Sequence, residues 1–167
     1  MKYLLAAFLV GVSLCGAPAY ASENPMADAK AAFDAGDFKT AAEILRRLAS
    51  QGDQAAQYNL AMLYLEGKGV PKDDAMAASL FEDSARQGNP GAALDLGILF
   101  RNGQGIRKDL ERAYMWLQMA MIQLTGRDRS TAARYSKEIA KSLSSDQMQA
   151  AQDMIENCRD VGVEYCD

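Results

Sequence analysis

The stretch 56-AQYNLAMLYLEGKGVPKD-73 decides the fold, because it returns as 92-AALDLGILFRNGQGIRKD-109. Leu60 falls on Leu96, Leu63 on Leu99 and Tyr64 on Phe100; Gly67 and Gly69 fall on Gly103 and Gly105, and Lys72-Asp73 on Lys108-Asp109. Self-similarity of this period marks a stacked architecture in which no single unit buries its own apolar face. Carried backwards at the same shift, Asp37, Ala41, Ala49, Gln51 and Gly52 fall on Asp73, Ala77, Ala85, Gln87 and Gly88. A partial leading unit therefore precedes the two full ones.

Each unit reads as a pair of helices. Ala56, Leu60, Leu63 and Tyr64 recur at i, i+4, i+7 and i+8, as do Ala41, Leu45, Leu48 and Ala49, which places each set on one helical face. Neither set alternates as a strand would. Gly52 and Gly88 fall where a left-handed residue ends a helix, and Asp53 and Asn89 follow as caps of the next. Pro90 then takes the first helical position, where its missing N–H costs nothing. Asp37, Asp73 and Asp109 stand as the caps of the second helices.

The pattern A-x-x-x-L-[GA]-x-x-[YF]-x-x-G-x-G-[VI]-x-K-D, complete from Ala56 to Asp73 and from Ala92 to Asp109, resembles the Sel-like repeat, a relative of the tetratricopeptide repeat. The resemblance covers Ala27 to Leu124. It implies an all-α fold: a short right-handed α/α solenoid of Sel-like and tetratricopeptide-like hairpins, closed by a C-terminal helical cap. Gly36 to Ala41 departs from the pattern, with the short tetratricopeptide turn in place of the G-x-G loop. The expected organisation is a signal peptide over 1–21, a partial unit over 22–52, Sel-like repeats over 53–88 and 89–124, and a helical cap over 125–167. In the cap, Ala132, Tyr135, Ile139 and Leu143 form one apolar stripe and Met148, Ala151, Ile155 and Cys158 another. Ser144 and Gln147 have the spacing of a capping box between them.

The first residues point to export. Lys2 precedes an uncharged run over 3–14, then Pro18 and Ala19-Tyr20-Ala21, with cleavage expected after Ala21. That run is too short to span a bilayer, and no transmembrane segment is expected after cleavage. The expected location is periplasmic or secreted. A lipoprotein reading of Cys15 is disfavoured by Leu14, since a small residue should precede a modified cysteine. In an oxidising compartment the remaining pair, Cys158 and Cys166, is expected to form a disulfide closing a short C-terminal loop. Removing Lys2 from 18 basic side chains leaves 17 against 22 acidic ones, a net charge of −5. Such a balance excludes nucleic acid as the natural partner, because phosphate binding needs a basic face. A protein or peptide is expected instead.

Catalytic chemistry finds little support. The chain has no histidine, which excludes a Ser-His-Asp triad and leaves two thiols short of a metal site. No S-x-x-K is present. The G-x-G stretches follow helices and not strands, so they are turns and not phosphate loops. Asp73-Asp74, Glu82-Asp83 and Asp153 with Glu156 read as caps and solvated faces, not as glycosidase pairs. Some cysteine-rich relatives of the repeat family are linked to penicillin-like compounds, but the cysteine pair of their repeats is missing here. No enzyme activity, cofactor or metal is expected.

Met115, Trp116, Met119 and Met121 crowd one helix and are expected in the core, because Trp116 and Leu117 align with Leu80 and Phe81. Partner binding is expected from first-helix positions outside the repeat's own packing set: Tyr58, Met62, Leu65 and Glu66, with Leu94, Ile98, Arg101 and Asn102 as equivalents. The apolar residues among them are unexplained by packing. The expected function is an exported scaffold or adaptor in the cell envelope or outside the cell. The alternatives are a cell-wall enzyme or ligand-binding protein related to peptidoglycan or β-lactams, and a secreted factor that engages host proteins.

Overall fold

The computed structural model describes residues 24–161, with side chains through Arg159. The described residues form eight helices and no strand: α1 Pro25–Asp34, α2 Phe38–Ser50, α3 Gln54–Glu66, α4 Asp74–Arg86, α5 Pro90–Asn102, α6 Leu110–Gln123, α7 Gly126–Ala140 and α8 Ser145–Val161. The signal-peptide cleavage after Ala21 and Cys166 lie outside the described residues. Consecutive helices pack antiparallel as hairpins α1–α2, α3–α4 and α5–α6, and each hairpin stacks on the next. The expected partial leading unit is thus a complete hairpin whose first helix is short.

Local chemistry sets the helix ends. Asn24, Asp37, Asp53, Asp73, Asn89 and Asp109 each accept a hydrogen bond from a backbone N–H of the first turn that follows. Ser144 and Gln147 cap α8 reciprocally, with the Gln147 N–H donating to Ser144 Oγ at 3.2 Å and the Ser144 N–H to Gln147 Oε1 at 3.1 Å. Gly67 and Gly103 end α3 and α5 in the left-handed conformation. The second glycine of each loop has a different reason. A Cβ on Gly69 would lie 2.2 Å from the Phe38 carbonyl oxygen, and one on Gly105 would lie 2.0 Å from that of Asp74. Each G-x-G loop therefore sits backbone to backbone on the second helix of the preceding hairpin, which fixes the stacking register.

The core runs the length of the stack. Leu45, Leu60 and Leu63 fill its N-terminal end, and Phe81, Leu96, Leu99, Met115, Trp116 and Leu117 its centre. Met115, Trp116 and Met119 are buried as expected, while Met121 is half-buried. Between α5 and α6 the approach is close enough that a Cβ on Gly97 would meet Leu117 Cγ at 2.8 Å.

The last two helices close the solenoid. α7 packs on α6 and α5, and α8 returns against α6, so the pair covers the side that another repeat would otherwise cover. Ala132, Ile139, Ala151 and Ile155 supply the buried contacts, and Cys158 Sγ lies 3.5 Å from Met115 Sδ. At the start of α8, Gln147 Nε2 donates to Glu111 Oε1 at 2.7 Å.

Candidate functional site

The first helices of the successive hairpins, α1, α3 and α5, with α7 after them, share one side of the stack. α7 packs directly on α5, whereas α1 stands off from α3 and leaves a groove of about 680 Å³. Met26 and Phe33 of α1 form one wall, Tyr58 and Met62 of α3 the other, and Leu45 of α2 lies beneath. The groove is mostly apolar at its surface. Phe33 keeps 42% of its area exposed there, although it meets Phe38 edge-on at 5.2 Å. Charged side chains mark the rim: Lys30 pairs with Asp34, and Glu66 with Lys68 at 2.7 Å.

Tyr58 links this groove to the next repeat. Its ring packs 5.7 Å from that of Phe81, and it lies over the first turn of α5, where a Cβ on Gly91 would approach it at 3.3 Å. The Tyr58 hydroxyl and the Asp95 carboxyl act on each other's protonation, and the Asp128 charge of α7 acts on both. Burial pushes the Asp95 carboxyl up to about 6, the Tyr58 hydroxyl acting against that rise and the Asp128 charge adding to it. Burial, and then the Asp95 charge, push the Tyr58 hydroxyl up to about 12, so it remains a donor at any physiological pH.

The residues expected to bind a partner separate into groups. Tyr58 and Met62 line the groove, and Leu65 and Ile98 are half-buried beside the core on the same pair of helices. Leu94 is different. It is only 8% exposed, because α5 sits mid-stack between neighbours and turns this side chain into the core. Arg101 is held in place by its surroundings: Nη2 donates to Glu138 Oε2 at 3.0 Å, and its guanidinium lies 4.6 Å from the Tyr135 ring centroid. It lines a separate polar depression with Asn102, Lys108 and Glu138, away from the apolar groove.

Two groove residues were not anticipated. Met26 and Phe33 belong to the hairpin without the G-x-G loop, where no second copy was available for alignment. Asp95 differs from its equivalent in the preceding repeat, the neutral Asn59, whose side-chain amide donates to the Ala55 carbonyl at 2.9 Å. Among the described residues, no group of three or more Cys, Asp or Glu is placed to hold a metal ion, and no helix is long and apolar enough to cross a membrane.

Helical hairpins stacked in register, joined by G-x-G loops and closed by a terminal pair, define an α/α repeat solenoid. The particular repeat is the Sel1 repeat, whose family model matches residues 54–89 and 90–121, so the chain carries two Sel1 repeats. Such repeats generally serve as scaffolds for protein–protein interaction. A protective antigen of uropathogenic Escherichia coli strains, described as displaying an SLR fold, is similar over 80% of this chain, with 28% identity and a TM-score of 0.72. A Sel1 repeat protein from Oxalobacter formigenes is similar over 60% of this chain, with 36% identity and a TM-score of 0.56. The chain spans 28% of the length of each of these structures. No curated protein matches it in sequence.

Proposed function

We propose that this chain is an exported, non-catalytic adaptor that holds a segment of a partner protein in the groove between α1 and α3. The observation that carries the proposal is the groove itself. Phe33, Met26 and Met62 line an apolar concavity next to a core in which the repeat's own packing residues are already buried. Apolar side chains left at a concave surface are the ordinary anchors of a bound peptide or helix. Export rests on the leader pattern of residues 2–21 and places the partner in the periplasm or outside the cell. The groove's dimensions suit one helix or one extended segment better than a folded domain.

Site-specific photocross-linking in the native cells tests this. A photoreactive amino acid replaces Met62 in the groove or Met76 on the second helix of its hairpin, where 44% of the side chain is exposed. Cross-links to a discrete protein from position 62 and none from position 76 are expected. Equal cross-linking from both positions, or from 76 alone, would remove the groove from the reading.

A further inference from the structure

We propose that the stack has a second docking surface at its C-terminal end, a trough around Lys108 and Leu110 that receives a short acidic segment of a partner protein. The trough shares no lining residue with the groove between α1 and α3, and the two stand or fall separately.

The trough exists because the cap replaces the helices of a further repeat but not its loop. Each G-x-G loop is seated on the first residue of the second helix one hairpin back: Gly69 on Phe38 at the start of α2, and Gly105 on Asp74 at the start of α4. The same shift that carries Phe38 onto Asp74 carries Asp74 onto Leu110, the first residue of α6. No third G-x-G follows in the sequence. Instead, two depressions of about 420 and 450 Å³ border that seat. Arg101, Ile139 and Ser142 line the first, Arg107, Gln147 and Met154 line the second, and Lys108 and Leu110 belong to both. A seat that matches a loop suits an extended or turning segment better than a helix.

Charge names the occupant. The loop of the first copy neutralises itself, with Glu66 on Lys68 at 2.7 Å and Asp74 on Lys72 at 3.5 Å. In the second copy Asn102 stands for Glu66, Gln104 for Lys68, Arg107 for Pro71 and Leu110 for Asp74. Lys108 thus lacks the acid that Lys72 has and gains a cationic neighbour. Among the described residues neither Arg107 nor Lys108 forms an ion pair.

The acids of the trough, by contrast, are engaged. Glu138 holds Arg101 at 3.0 Å and Arg134 at 3.6 Å. Asp109 caps α6 and lies 3.8 Å from Arg112, and Glu111 accepts from Gln147 at 2.7 Å. With these partners included, Arg101, Arg107, Lys108, Arg112 and Arg134 outnumber the acids. Two free cations suit one or two carboxylates. On a chain this acidic they are too few for the many phosphates of a nucleic acid or a lipid surface. Leu110, Ile139 and Met154 offer apolar contact to the residues beside the carboxylate.

The test probes the mature chain with a phage-displayed library of random 12-residue peptides. Parallel selections use the wild type, Arg107→Gln/Lys108→Gln, Arg107→Lys/Lys108→Arg and Met62→Glu, with circular dichroism and urea melts checking each fold. The wild type and the charge-conserving variant should enrich peptides in which Asp or Glu stands at a fixed spacing from an apolar residue. The glutamine variant should lose that class, and Met62→Glu should keep it. A synthetic peptide of the class should bind the wild type about tenfold more tightly than the glutamine variant, with the ratio shrinking as salt is raised.

An acidic class that is absent from the wild type, that persists in the glutamine variant, or that is lost in the charge-conserving one would overturn the proposal. So would a class lost only in Met62→Glu, which would assign the peptides to the groove. Sedimentation of the wild type alone and with phosphatidylglycerol vesicles covers the other occupants. A dimer, or vesicle binding, that the glutamine variant loses would show a second copy or a membrane on the trough and would overturn the proposal.

Discussion

Replacing Asp95 by asparagine should stabilise the protein at neutral pH and lose that gain by pH 4. Burial raises this carboxyl from the ordinary 3.8 to about 6, so the folded chain holds a proton that the unfolded chain has released. Well below pH 3.8 both states are protonated and the group leaves stability untouched. As the pH rises from 3.8 to 6, the folded state binds more protons than the unfolded one, and stability falls. Above 6 the loss is complete. About two pKa units at 1.36 kcal/mol each come to roughly 3 kcal/mol. Asparagine brings an amide to a half-buried position, which lowers the expected gain to about 2 kcal/mol at pH 7.5. That corresponds to a rise in Tm of several degrees for a chain of this size. Urea melts of both proteins at pH 4, 5, 6 and 7.5 provide the measurement, and taking their difference removes the contribution of every other carboxylate. A variant less stable than the wild type at pH 7.5, or a gain of the same size at pH 4, would refute the reasoning.

Other expectations concern the scaffold. Gly88→Ala and Gly105→Ala both place a side chain at positive φ, but nothing lies within 4 Å of the first, while the second meets the Asp74 backbone at 2.0 Å. The first should cost about 1 kcal/mol and the second roughly 2–4 kcal/mol in chemical denaturation; equal costs would show that the loop does not fix the stacking register. Reduction of the mature protein, or Cys166→Ser, should lower Tm, by the equivalent of about 2–3 kcal/mol for a short loop; identical melts with and without reductant would exclude a bridge to Cys158. Ser84→Ala should cost about 1 kcal/mol, because the buried hydroxyl donates to the Gln54 carbonyl of the neighbouring helix at 2.8 Å. An unchanged midpoint would make that bond dispensable.

The hairpins were legible in the sequence because they rest on short-range chemistry that was written twice. Asp53 and Asn89 cap one residue after Gly52 and Gly88, and the apolar spacing from Ala56 to Tyr64 repeats from Ala92 to Phe100, so each copy checks the other. The cap helices were legible for the related reason that Ser144 and Gln147 act within one turn. The second glycine of the G-x-G loop was legible as a turn but not in its second role. Its contact is with Phe38 or Asp74, about 31 positions earlier, and depends on how one hairpin sits on the last.

The candidate site was legible in part, and its limits follow from the same distinction. Tyr58 and Met62 were found by subtraction, as apolar first-helix residues that the repeat does not need for packing. The same subtraction chose Leu94, because the pattern treats α3 and α5 as equivalent. They are not. α3 has the short α1 standing off beside it and so keeps an open wall, whereas α5 has α7 packed against it and loses one. A repeat motif specifies what copies share, and a binding site in a short solenoid lies where they differ: here at the end of the stack, where Met26 and Phe33 of the short α1 face Tyr58 and Met62 across the groove.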